Sequence, residues 1–219
     1  MAIETNGRNR ANVFTGAPDV SISGGFFIGP AALDPEQYPK KPDEDLKELT
    51  KRLGLTSAGY ITKDGTKKNE SRSTEKLQDW NLDVIDIVET EYGLQLTTTF
   101  AEAANGAVLK AIYGEENVEV NTKDGFVHIA EGSRVQDDIA ILYAIRGKGG
   151  KRGLGFAPVA QISSIGEISM TKSSLIQYEC TIDVLSGPDG KYLHTWLSTK
   201  APTTPASGSS TEAGTPGAA

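Results

Sequence analysis

The side chains from which this sequence could build a reactive site are few. There are two histidines and one cysteine, with carboxylate pairs at Glu115-Glu116 and Asp137-Asp138 and tryptophans at 80 and 196. Metal binding needs His, Cys, Asp or Glu at short, regular spacing, and neither His128 nor His194 has that company. Each reads as a satisfied sheet or surface histidine. Cys180 has no partner for an intramolecular disulfide. It lies on the apolar side of an alternating stretch, where a small buried thiol is expected. No Gly-x-Ser-x-Gly elbow occurs, and no histidine can be tied to a nucleophile. In a strand, adjacent residues point to opposite faces, so the two carboxylate pairs read as solvated charge, not as an acid and a base. The basic glycine run from Arg146 to Gly153 lacks the Gly-Lys-Ser/Thr ending and the following helix of a phosphate loop, and reads as a hairpin tip. Trp80 and Trp196 could stack a sugar ring, but isolated tryptophans are more often core or interface anchors. The sequence offers no catalytic, metal or cofactor constellation and reads as a non-enzyme.

Composition points the same way. The chain has 219 residues, a net charge of −7 and a pI near 5.0. That is unlike a general nucleic-acid binder, which needs clustered Lys and Arg to neutralise phosphate. No apolar run approaches the ~20 residues that span a bilayer. The first residues lack the apolar core of a signal peptide, so a protein made and at first kept in a cytoplasm is expected. Residues 1–12 are polar and aperiodic and read as a flexible arm; 13–197 read as one folded domain. Beyond Lys200 every residue except Glu212 is Ala, Pro, Thr, Ser or Gly. That composition cannot bury a core, and 198–219 are expected to be disordered.

The elements that would position these side chains are mostly strands. Residues 13–30 read as two short strands broken by glycines and proline. Asp43 to Leu53 is a small amphipathic helix with Leu46, Leu49 and Leu53 on one side and Gly54 as its stop. A hydrophilic excursion, Thr62 to Lys76, leads to Trp80. Two strand patterns follow, 84–91 and 94–100, expected to meet in a hairpin at Tyr92-Gly93. The first has apolar groups on both faces. In the second, Leu94, Leu96, Thr98 and Phe100 alternate with Gln95, Thr97 and Thr99, so one face is apolar and one polar. Asn105 caps a short helix whose Val108, Leu109 and Ile112 share a face, with Gly114 at its end. Further strands are expected at 125–130, at 138–146, within 154–171, at 174–185 and at 191–197. In 174–185, Ile176, Tyr178, Cys180, Ile182 and Val184 face inward, and Gln177, Glu179, Thr181 and Asp183 outward.

The run Gly59-Tyr-Ile-Thr-Lys-Asp-Gly65, then Thr74-Glu75, Trp80 ahead of a Val-rich strand, Thr90-Glu91 and Phe100 resembles the major tail-tube proteins of long-tailed bacteriophages, of the type that infects actinobacteria. Ala107-Val108-Leu109, Tyr113-Gly114 and Asn117-Val118 add to the likeness. Its specific part is 59–118. The resemblance implies a mainly β fold, a tail-tube β-sandwich or barrel flanked by a short α-helix. Subunits would assemble into hexameric rings with a continuous inner β-barrel, stacked as the conduit for viral DNA. It implies a virion tail protein assembled in the host cytoplasm, without a membrane span or cofactor. Its partners would be itself, a tape-measure protein and tail terminator and tip proteins, with DNA passing unbound. It places a long inter-ring loop at 62–76, with Lys63, Asp64, Lys67, Lys68, Arg72 and Glu75 as contacts. Gln95, Thr97, Thr99, Gln177, Glu179 and Asp183 are the lumen-facing candidates. Tyr60, Trp80, Phe100, Leu109, Ile112 and Tyr113 are the candidate core or interface anchors. The alternative is a monomeric carbohydrate-binding β-sandwich that uses Trp80 or Trp196.

Overall fold

The computed structural model describes residues 12–133 and 135–198. In chain order the elements are β1 (Ala17–Pro18), β2 (Phe26–Pro30), α1 (Leu46–Leu53), β3 (Thr56–Ser57), β4 (Ile61–Gln78), β5 (Val84–Phe100) and α2 (Gly106–Tyr113). They continue with β6 (Val118–Asn121), β7 (Phe126–Ile129), β8 (Ile139–Arg146), β9 (Arg152–Ile165), β10 (Tyr178–Val184) and β11 (His194–Leu197). Nine strands form one sheet in the order β3-β2-β8-β9-β10-β5-β4, with β1 also on β8 and β11 also on β9. β6 and β7 make a separate pair. Every pairing is antiparallel. The fold is mainly β, as the alternation predicts. The sheet curls until Phe26 of β2 meets Phe100 of β5 edge to face at 5.5 Å, but it does not close into a barrel, because β4 remains a free edge.

Two cores flank the sheet. Leu94, Leu96, Phe100, Ile141, Cys180 and Ile182 face Val108, Leu109 and Ile112 of α2 in the first. Phe27, Ala140, Leu142, Leu154 and Phe156 meet Leu46, Leu49 and Leu53 of α1 in the second. β8 feeds both, and this explains its apolar run: a strand covered on two faces has no polar side. α2 begins at its expected cap Asn105, whereas α1 begins at Leu46 and not at the expected Asp43, because Asp45 is its cap. Asp45 accepts N–H bonds from Lys47 and Glu48, and Asn105 from Ala107 and Val108. Gly54 at φ 65° supplies the left-handed stop for α1.

The expected turn at Tyr92-Gly93 is absent. β5 runs unbroken through it and pairs with β4 from Ile61↔Phe100 to Gln78↔Val84. The turn lies instead at Asp79–Asp83. There the Asp79 carboxylate accepts the N–H groups of Asn81 and Asp83, both at 2.9 Å, and Leu82 takes a positive φ of 68°. The change of pattern at 92–94 marks where β5 leaves the core, not where the chain reverses. The segment 62–76, expected as a loop, is likewise β4 strand.

Candidate functional site

The most conspicuous feature is the β4–β5 ribbon. Its near half lies on the body, where Leu94, Leu96, Thr98 and Phe100 are buried. Its far half, Arg72 to Tyr92, is exposed on nearly every residue of both strands. The apolar groups that alternate on both faces of 84–88 therefore cover nothing within the subunit. Trp80 is 98% exposed and Ile85 71%. Several of the ribbon's charges are already matched. Lys68 pairs with Glu70 at 2.5 Å and Arg72 with Glu89 at 2.8 Å, and the Arg72 guanidinium lies over the Tyr92 ring. The hydrogen bond that Lys68 donates to the Glu70 carboxylate holds the ammonium pKa above its ordinary value, and the same contact lowers that of Glu70. Lys63, Asp64, Lys67 and Glu75 are also on β4.

The second feature is a polar sheet face. Registers Asp183↔Gln95, Thr181↔Thr97 and Glu179↔Thr99 bring the outward residues of β10 and β5 together. Asn69 and Lys67 of β4 extend the rows on one side, Gln161 and Ser164 of β9 on the other. Gln95 donates to the Asp183 carboxylate at 2.8 Å, and Gln161 to Asp138 at 2.8 Å. Five of the six lumen-facing candidates thus share one face. The sixth, Gln177, precedes β10 and is not on a strand.

The described residues thus present a long free-edged ribbon and a one-sided polar sheet. A model of the phage tail tube protein family matches residues 29–208. The chain belongs to that family. No curated protein matches it.

The tail tube family is one of structural proteins of the phage tail. Phe100, Leu109 and Ile112 are core, with Tyr113 packed beside them. Tyr60 and Trp80 are not, being 74% and 98% exposed. Burial pushes the Cys180 thiol up to about 12, so it stays protonated and inert. His194 does have an acid beside it. Asp189 folds back across the turn after β10 to 3.0 Å, while the ring stacks on Trp196 at 5.6 Å. Trp196 therefore spends a face on His194. The Glu115-Glu116 and Asp137-Asp138 pairs sit in a short 3-10 turn and just before β8, and both line one surface groove. Sequence spacing could not show that, because the fold brings them together. Among the described residues no group of three or more His, Cys, Asp and Glu could hold a metal ion, and no helix is long and apolar enough to cross a membrane. The basic turn is the β8–β9 connection. Its Arg146 and Arg152 reach the buried Asp19 at 3.4 and 3.2 Å and pin β1 there.

Proposed function

We propose that this tail tube protein polymerises as stacked hexameric rings whose sheets join edge to edge into a continuous inner β-barrel, the conduit for DNA delivery. The observation that carries the reading is β4. It is an 18-residue edge strand with no partner strand on its outer side among the described residues. Such an edge is a template for pairing, and soluble monomers normally blunt it. Neighbouring subunits satisfy it in a ring. The polar face of β5 and β10 is the lumen wall, where Glu179 and Asp183 repel phosphate and keep DNA from adhering. The far half of the ribbon is the inter-ring contact, reaching from one ring to the next. A head-to-tail contact of this kind propagates instead of closing. Glu75 adds charge to that contact beside the internally paired Arg72, and Lys63, Asp64, Lys67 and the paired Lys68 extend it along the near half of β4. Assembly takes place in the host cytoplasm around a tape-measure protein and ends at terminator and tip proteins.

Electron microscopy of the purified protein tests the reading, with rings or tubes expected. A variant in which Asn-Gly replaces residues 73–91 joins the Arg72↔Tyr92 pair through a two-residue turn. It should keep the wild-type circular dichroism spectrum and a cooperative melt, yet stay unstacked. Tubes of normal length from this variant would remove the stacking role of the ribbon.

A further inference from the structure

The sheet fails to close along a seam between the start of β4 and strands β1, β2 and β8. A groove of about 550 Å³ lies in that seam, bordered by Phe26, Ile61, Leu96, Tyr143 and Ile145. Its volume is in the ~300–1,000 Å³ range of sites that accept a compact apolar group. Two cations line it, Lys63 and the Glu70-paired Lys68, and no described acid does. The ribbon tip has the opposite character. Residues 78–86 hold Trp80, Leu82, Val84 and Ile85 together with Asp79, Asp83 and Asp86, and no Lys or Arg. Trp80 and Leu82 are 98% and 74% exposed.

We infer that the ribbon tip of one copy seats Trp80 in the seam groove of another copy, with the tip aspartates against Lys63. The inference rests on the self-assembly reading and names the two surfaces that meet. Three observations carry it. An indole standing free in water is a large apolar surface that association would bury, and tryptophans of this kind are the usual hot spots of interfaces. The charges of tip and groove are complementary, which steers encounter and sets register. The tip also cannot fill its own groove. The groove lies at the root of β4, and at ~3.3 Å per residue the tip stands roughly 40–50 Å farther along the strand. The occupant is therefore a tip from a different subunit, and a contact between unlike surfaces leaves a free tip at one end of the chain of subunits and a free groove at the other.

The experiment places the photo-crosslinking residue p-benzoylphenylalanine at position 80 of the full-length chain and assembles a mixture of nitrogen-14 and nitrogen-15 copies. Expected are crosslinks between light and heavy chains, on peptides carrying Ile61–Lys68 or Tyr143–Ile145. Crosslinks in assembled tubes that map to any other surface, or only within one copy, overturn the inference while leaving the tube reading intact. Failure of the wild-type protein to assemble at all removes both. A charge exchange gives a second readout. Lys63→Glu should raise the critical concentration for assembly about tenfold, and adding Asp83→Lys should return it to within about twofold of wild type. No recovery in the folded double variant counts against the pairing of tip and groove.

Discussion

Glycine at position 24 shows how little room this scaffold leaves at the root of the ribbon. A Cβ built there would lie 1.8 Å from the carbonyl oxygen of Gly59. The obstacle is backbone, so no side-chain rotation relieves it. Gly24→Ala should therefore cost about 3 kcal/mol of unfolding free energy, the upper end for overpacking. Gly16→Ala, whose Cβ would meet nothing within 4 Å, should stay within about 0.5 kcal/mol of wild type. Chemical denaturation of the two variants separates a steric effect from a loss of glycine flexibility. Equal losses would show that crowding against Gly59 is not the cause.

At the scale of elements, α1 illustrates a helix held by charge at its entry. Glu44, just ahead of the helix, accepts the N–H groups of Lys40 and Lys41 and pairs with Arg52 at 2.9 Å. Partial burial alone would raise its pKa, but these donors outweigh burial and hold it below the ordinary 4.5. A carboxylate with a depressed folded pKa stabilises the native state above its unfolded value, and that contribution is lost as pH falls through the folded one. The pair is partly solvated, so its worth is no more than about 1 kcal/mol. Glu44→Gln should thus be less stable than wild type at pH 7, and the gap should close as pH falls below the ordinary 4.5 and through the depressed folded value. Melting curves recorded across that range check it; a gap independent of pH would assign the loss to packing instead.

For the whole molecule, the lumen assignment is the part most open to a direct functional test. Glu179 and Asp183 sit on the uncovered polar face opposite the buried Cys180 and Ile182, so replacing both with Lys leaves the core untouched. The double variant should still form tubes, because neither residue lies on the ribbon. Genome ejection from particles built with it should slow, since a cationic wall retains phosphate and releases it only as salt is raised. Ejection at the wild-type rate would place these residues away from the lumen.

Much of this architecture is written in local pattern. Period-two alternation marks β10 and the near half of β5, the cap Asn105 and the stop Gly54 mark the helices, and the basic glycine run marks the β8–β9 connection. These follow from a few neighbouring side chains and the backbone groups they satisfy, so a single chain read in order discloses them. What lay beyond reach was pairing. Tyr92-Gly93 looked like a turn because a change in alternation and a glycine coincide there, yet β4 pairs straight across it. The free ribbon also inverted the meaning of apolar residues: Ile85, Ile87 and Val88 look like core but project into solvent. The seam groove, the His194–Asp189 contact and the meeting of two carboxylate pairs depend on residues far apart in sequence or on the course of a turn. Long-range register is set by the sum of many weak contacts over the whole sheet, so no local stretch contains it.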